Sequence, residues 1–234
     1  MTAAGLSRRD DTLRELMDDP DCDPARLHRT LERFALVNPL VSGWGGVYRR
    51  HVLPVLARRS APARILDIGT GGGDVLRRLV RRASADGFAV EAVGIDPDER
   101  SLAVAEAGPR MPGLSFRRAH SSDLVAEGAR FDVVISNHVL HHLTPDELTG
   151  IAADSMALSS GIVLHSDIAR SRLAYALYAA GITPLAPGTF LRTDGLRSIR
   201  RSWTADELRV RLPAGWRVQR PGLFRLLAVH EAAR

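Results

Sequence analysis

The stretch Ile65-Leu66-Asp67-Ile68-Gly69-Thr70-Gly71-Gly72-Gly73 limits the folds open to this chain more than any other. A short apolar run stops at a cluster of glycines, and an amphipathic segment follows over 74–82. That order reads as buried strand, tight turn and helix, the first half of a βαβ unit. Segments 89–95, 114–119, 131–136 and 161–165 also read as strands, with helical stretches at 100–107 and from 145 onward between them. Strands alternating with helices predict a largely parallel sheet covered on both faces.

Local signals mark several boundaries. Thr144 reads as an N-cap, Pro145 as the first helical residue and Glu147 as the reciprocal partner of a capping box; Thr204 and Glu207 repeat the pattern before Leu208 and Leu212. Segments 216–218 and 224–229 read as closing strands, with Pro221-Gly222 as the turn. Ahead of the first strand, 1–11 reads as a loose tail. Leu13, Leu16 and Met17, then Leu27, Leu31, Phe34 and Ala35, recur at helical spacing, and a further helix is predicted from 47 to about 59. Between them, Asn38-Pro39 and 42–46 read as a hinge. After the fifth strand, 168–202 breaks the alternation and reads as an insertion above the sheet. The expected architecture is α/β: a Rossmann-like, seven-stranded, mostly parallel sheet with helices on both faces, an N-terminal helical lid over 1–60 and that insertion.

In such a sheet, ligands bind at the carboxyl ends of the strands, and glycines there let the backbone approach closely. The spacing Gly69-x-Gly71-x-Gly73 departs from the dinucleotide fingerprint G-x-G-x-x-G, because Asp74 stands where the third glycine belongs. A pyrophosphate beside Asp67 and Asp74 would be repelled, whereas a cationic, phosphate-free ligand suits them. Asp96 ends the second strand in Gly94-Ile95-Asp96-Pro97, a place from which a carboxylate accepts ribose hydroxyls.

Residues 65–73 resemble the first motif of class I S-adenosylmethionine-dependent methyltransferases, and 93–97 resembles the second. Phe131-Asp132-Val133-Val134-Ile135-Ser136-Asn137-His138-Val139-Leu140-His141-His142-Leu143 resembles the fourth-strand motif of the small-molecule branch, which includes ubiquinone, menaquinone and phenolic methyltransferases. The resemblance covers about 63–166 and makes 61–234 the expected methyltransferase domain. It implies S-adenosyl-L-methionine as cofactor and S-adenosyl-L-homocysteine as product. It places Asp67, Gly69, Thr70 and Gly71 at the methionine part, Asp96 at the ribose, Pro97 near the adenine, and Ser136 and Asn137 beside the sulfonium. Relatives often carry Gly-Asp-Ala after the third strand, with the Asp on the adenine amino group. Here His120 holds that place, and the Ser121 backbone or Asp123 is the substitute contact.

A phenol with a pKa near ~10 needs a base to react at neutral pH, and histidine suits the task. His138, His142 and His165 are the candidate catalytic residues. His141 and His142 also suit packing around the start of the capped helix, and His165 suits a buried histidine satisfied by Asp167. No metal is expected, because the histidine turn has no carboxylate of its own. Cys22 is the single cysteine, which leaves no cysteine cluster and no internal disulfide. Trp44 and Tyr48, with Phe34, and Tyr175 and Tyr178, with Phe190, are candidate walls of an acceptor chamber, with core packing the alternative for each. Arg49 or Arg50 could reach the cofactor carboxylate.

All 32 basic residues are arginine and the formal net charge is +5, but acids are interspersed throughout, so no nucleic-acid partner is expected. No stretch is long and apolar enough to span a bilayer, and the first residues carry no signal core. The expectation is a soluble, cytoplasmic enzyme, monomeric or homodimeric, that O-methylates a phenolic or quinol-type natural product of secondary metabolism. Carbon methylation of a related aromatic or quinone precursor is the alternative. An NAD(P)-dependent oxidoreductase and a non-catalytic cofactor-binding protein are the rivals from other classes.

Overall fold

The computed structural model describes residues 6–232; the side chains of residues 34, 35 and 37–41 lie outside that description. Seven strands form one sheet: β1 (Ala63–Ile68), β2 (Val90–Asp96), β3 (Leu114–Arg118), β4 (Phe131–Asn137), β5 (Ser159–Ile168), β6 (Arg217–Gly222) and β7 (Arg225–Glu231). Their spatial order is β3-β2-β1-β4-β5-β7-β6. β1 to β5 pair in parallel, and β7 runs antiparallel to β5 and β6. Strand side chains alternate between faces. Ile65, Val133, Ile135 and Leu164 therefore pack on one side, while Leu66, Ile68, Val134 and Val163 pack on the other.

Ten α-helical segments occur among the described residues: α1 (Pro24–Val41), α2 (Trp44–Val47), α3 (Leu53–Leu56), α4 (Asp74–Ala85), α5 (Glu99–Ala107), α6 (Ser121–Ala126), α7 (Pro145–Leu158), α8 (Arg172–Gly181), α9 (Leu191–Arg201) and α10 (Ala205–Arg211). α7 starts where expected: Glu147 N–H donates to Thr144 Oγ1 at 3.3 Å, and Thr144 N–H donates to Glu147 Oε2 at 2.8 Å. Thr204 and Glu207 cap α10 in the same way. Each box satisfies two N–H groups that a helix start leaves open.

Three expectations need correction. The N-terminal 6–23 carries no helix over Leu13–Met17 and is a chain of turns; its apolar side chains pack beneath α9 and α1 rather than along a helix of their own. The helix predicted from 47 starts at Trp44 and contains a π-turn over Tyr48–Val52. That wide turn ends two residues before Pro54, which has no N–H to return to the preceding turn. The last hairpin turns at Leu223-Phe224 rather than Pro221-Gly222, because β6 absorbs Pro221 through an irregular pairing between Gln219 and Gly222.

The topology decides what meets at the site. The carboxyl ends of β1, β2, β4 and β5 lie side by side, with Asp67 opposite Gly94 and Ile135, and Asn137 opposite Ser166. Because β7 is antiparallel, its first residue lies at the same edge: Arg225 pairs with Ile168. The insertion, α8 and α9, is tied to α1 and the N-terminal segment. Arg26 donates to the Thr189 carbonyl, Arg29 to that of Gly188, and Phe190 N–H to Thr30 Oγ1, while Leu16 and Met17 N–H both donate to Asp194. Together these segments cover the carboxyl edge of the sheet. No described helix is long and apolar enough to cross a membrane.

Candidate active site

The glycine turn leaves β1 with Gly69 at φ 68° and Gly71 at φ 54°, a region that favours glycine. A Cβ on Gly69 would meet Val139 Cγ2 at 2.6 Å, whereas one on Gly71 would meet nothing within 4 Å, so the turn is open at Gly71. Gly71 N–H donates to Asp96 Oδ2 at 2.9 Å, and Asp98 N–H donates to Asp96 Oδ1 at 2.9 Å. Asp96 thereby fixes the turn to the end of β2, with Pro97 just beyond it.

Asp67 is buried beneath this turn. Its Oδ2 accepts from Thr70 Oγ1 at 2.9 Å, and its Oδ1 is buried with no hydrogen-bond partner. Burial pushes the Asp67 carboxyl up to about 8, and Asp74 and Asp96 push in the same direction against the Thr70 hydrogen bond. Burial also raises Asp96. An unsatisfied buried carboxyl oxygen costs free energy unless a donor or cation meets it. The pair of buried acids and the open glycine cradle fit a ligand carrying an ammonium and a ribose.

At the end of β3, His120 is exposed and its N–H donates to Asp123 Oδ2 at 2.8 Å, so Asp123 caps α6 rather than facing the crevice. Ser121 Oγ donates to Asp154 at 2.6 Å, which leaves its backbone as the available contact.

Asn137 ends β4, and its Oδ1 accepts from Trp44 Nε1 at 3.0 Å and from Arg225 Nη2 at 2.8 Å. Trp44 thus pins the start of α2 over the crevice. Tyr48 does not join it: the structure buries Tyr48 among Val52, Leu56, Val75 and Leu79, with the Arg82 guanidinium 5.8 Å from its ring. The helix through Tyr48 runs down the sheet face, so a turn past Trp44 is already core. Tyr178 donates its hydroxyl to the Leu191 carbonyl at 2.7 Å and locks α8 to α9, while Tyr175 is half-buried on the same helix. Phe190 packs with Leu27 and Leu31 under Arg26, and Arg49 and Arg50 are exposed. The side chain of Phe34 lies outside the described residues.

The histidines separate into distinct environments. His165 is not placed to act as a base. Its Nδ1 pairs with Ser136 Oγ at 2.7 Å, its Nε2 with Ser155 Oγ at 3.1 Å, its ring stacks on Trp216, and burial pushes it down to about 3. Its expected partner, Asp167, turns to His141 instead. His138 has φ 61°, rare for a residue with a side chain. Arginine can only donate, so the 2.8 Å contact from Arg225 Nη1 makes His138 Nε2 an acceptor. Burial and then the Arg225 charge hold His138 well below the usual imidazole range. With Nε2 occupied, His138 is a polar wall rather than a free base.

His141 is buried between two carboxylates: Nδ1 lies 2.8 Å from Asp167 Oδ1 and Nε2 lies 3.2 Å from Glu15 Oε1. Burial disfavours its charged ring, but Asp167 and Glu15 overcome that and hold it up at about 9. Asp167 also accepts from the His141 backbone N–H at 2.9 Å, and despite its burial it is held far below the usual carboxylate range by His141. His142 is half-exposed, with Nδ1 3.3 Å from Asp18 Oδ2 and Nε2 3.9 Å from Glu15 Oε1.

Four residues of this cluster had no role in the sequence reading: Glu15, Asp18, Asp167 as a partner of His141, and Arg225. Arg225 is buried and bonds Asn137, His138 and Ser166, and burial lowers its guanidinium to about 10. Its position opposite Ile168 follows only from the antiparallel placement of β7. Glu15 also accepts from Ser198 Oγ at 2.6 Å, and Arg9 donates to the carbonyls of His141 and Leu143. The N-terminal segment therefore lies directly on the histidine turn.

A seven-stranded sheet with one antiparallel strand in the order 3-2-1-4-5-7-6, a glycine turn after β1 and acids ending β1 and β2 define the class I S-adenosylmethionine-dependent methyltransferase fold. Residues 65–159 match the family model described as a methyltransferase domain. It is 32% identical over 126 residues to the ubiquinone biosynthesis O-methyltransferase of Rhizobium etli, covering 53% of this chain and 48% of that protein. It is 35% identical over 120 residues to the enzyme of that name from Azorhizobium caulinodans, covering 50% and 45%. The chain spans about half the length of these curated relatives. Among solved structures, a plantazolicin methyltransferase (BpumL) with a triazolic analogue and S-adenosylhomocysteine superposes with a TM-score of 0.61 at 14% identity, covering 90% of this chain and 97% of that one. The CurJ carbon methyltransferase superposes at 0.64 and 18% identity, covering 92% and 62%. These two likenesses concern the fold.

Proposed function

We propose that this chain transfers a methyl group from S-adenosylmethionine to a small-molecule acceptor, with the oxygen of a phenolic or quinol-type compound as the first choice. The observation that carries the cofactor is the partnerless Asp67 Oδ1, buried beside a glycine turn that is open at Gly71. Asp67 and the backbone of Gly69, Thr70 and Gly71 would hold the methionine end, Asp96 the ribose, and Pro97 and the Ser121 backbone the adenine side. Bound there, the cofactor supplies a methyl group already activated by its sulfonium. The chain's own work is to place the acceptor in line and keep water out. Trp44, Asn137 and His138 wall the crevice, and α8 and α9 with the N-terminal segment cover it. His142 is half-exposed, and we assign it to the acceptor side, where it takes the acceptor proton. The oxygen acceptor is supported by the two relatives named as ubiquinone biosynthesis O-methyltransferases.

The test is incubation of the purified chain with S-adenosylmethionine and a panel of phenols and hydroquinones, with NMR locating the new methyl. A methyl on oxygen is expected. A methyl on a ring carbon would move the assignment to carbon methylation, and no product with any phenol would refute the phenolic acceptor.

A further inference from the structure

We propose that Glu15, His141 and His142 form a binding site for a single divalent transition-metal cation of the Zn²⁺ type. One donor atom from each residue lies within 4.8 Å of the other two. The arrangement is directional as well as close. His141 Nε2 and His142 Nε2 both face Glu15 Oε1, at 3.2 and 3.9 Å. Metal–ligand bonds of about 2.1 Å at tetrahedral angles set donor atoms about 3.4 Å apart, between the two observed values. Both carboxylate–imidazole spacings thus suit donors that share one ion, and all three donor atoms lie within 4.8 Å of one another.

The outer partners point the same way. Each histidine uses its other nitrogen on a carboxylate: His141 Nδ1 on Asp167 Oδ1 at 2.8 Å, and His142 Nδ1 on Asp18 Oδ2 at 3.3 Å. A carboxylate behind each imidazole holds its Nδ1–H, so an ion that displaces the Nε2 proton of His141 meets the orientation used by metal-ligating histidines. Glu15 is itself set in place by Ser198 Oγ at 2.6 Å. The neighbouring cations are engaged by groups other than the three donor atoms. Arg201 donates to the backbone carbonyls of His141 and His142 and approaches Asp18, and Arg9 donates to the carbonyl of His141. The second grouping in this region, His138 with His141 and Asp167, is a poorer site, because the Arg225 guanidinium occupies His138 Nε2 and would oppose a cation.

The turn alone lacks a carboxylate; Glu15 supplies one from 126 positions away. Two imidazoles and one carboxylate leave coordination positions for water or another oxygen ligand. The site rests on its own geometry and not on the methyl-transfer reading. Were an ion bound, His142 would be a ligand and not a base, and an oxygen acid coordinated to the ion would lose its proton more readily.

The test uses the full chain freed of metal by chelator dialysis, then titrated with Co²⁺ and Zn²⁺ alone. One equivalent of Co²⁺ should produce visible ligand-field absorption that Zn²⁺ abolishes. His142→Ala, at a half-exposed position, and Glu15→Gln should each remove that absorption, with circular dichroism confirming the fold. Asp18→Asn should weaken binding about ten- to a hundredfold. Absence of binding below about millimolar metal, or binding that survives in His142→Ala and Glu15→Gln, would overturn the proposal. Binding of S-adenosylhomocysteine by the same metal-free protein, measured separately, keeps the outcome distinct from that of the methyl-transfer reading.

Discussion

Replacing Asp67 with asparagine should stabilise the ligand-free protein in alkali while weakening its hold on the cofactor. In the folded chain burial keeps the Asp67 carboxyl neutral up to about pH 8. In the unfolded chain an aspartate ionises near ~3.9. Between these values the folded state holds a proton that the unfolded state has lost, so stability falls as pH rises from about 4 and levels off above about 8. Some four pKa units at ~1.36 kcal/mol each put the upper bound of the effect on the order of 5 kcal/mol. Asparagine keeps the volume and can still accept from Thr70, but it never ionises. The melting temperature of Asp67→Asn should exceed wild type by several degrees at pH 8.5 and match it closely only at about pH 4, by differential scanning calorimetry. Cofactor binding should move the other way. A charged acceptor is worth about 1.5–3 kcal/mol, so affinity for S-adenosylhomocysteine should fall roughly ten- to a hundredfold at pH 8.5. Wild-type affinity should climb toward about tenfold per pH unit between pH 6 and 8, as the arriving ammonium ionises Asp67, and the variant should show no such climb. A variant less stable than wild type at pH 8.5, or one that keeps the pH dependence of binding, would refute the reasoning.

Three further outcomes are expected. Asp96→Ala should cost about 1–3 kcal/mol of S-adenosylhomocysteine affinity in calorimetry, because it removes the ribose acceptor and frees the Gly71 N–H; unchanged affinity would take Asp96 out of the site. Arg225→Met should destabilise the chain by about 3–5 kcal/mol in urea unfolding, since it strips a buried cation from Asn137, His138 and Ser166 beside Asp167, and a loss under about 1 kcal/mol would contradict that. His141 is raised to about 9, so its pairing with Glu15 and Asp167 contributes fully below about pH 6.5 and is lost as pH rises through 9. Glu15→Gln should flatten part of that alkaline decline in melting temperature, and an unaltered pH profile would argue against the pairing.

The parts of the fold visible in the sequence were those written in local chemistry. The glycine turn, the buried strands and the two capping boxes depend on residues within a few positions of one another, and each stands where the sequence places it. The proposed cofactor side is local in the same sense: Asp67, Gly71 and Asp96 come from two adjacent strand ends. The proposed acceptor side is not. His141 meets Glu15 across 126 positions, and Arg225 reaches Asn137 across 88, through a strand whose direction no local pattern encodes. Tyr48 shows the opposite failure, since an aromatic near a ligand crevice and an aromatic in the core look alike in sequence. Only the direction of the helix through Tyr48–Val52 separates them. His165 is ambiguous in the same way, since Ser136 and Ser155, which occupy both its nitrogens, lie 29 and 10 positions away in sequence.

On the proposed function, the crevice over Asp67, Gly71 and Asp96 is built for a cationic, phosphate-free nucleoside cofactor. The most direct measurement is isothermal titration of the full chain at pH 8 with S-adenosylhomocysteine and, in parallel, with NADH. One-to-one binding of S-adenosylhomocysteine that Asp96→Ala weakens, with no heat from NADH, is the predicted result. Binding of NADH in preference to S-adenosylhomocysteine would contradict the account.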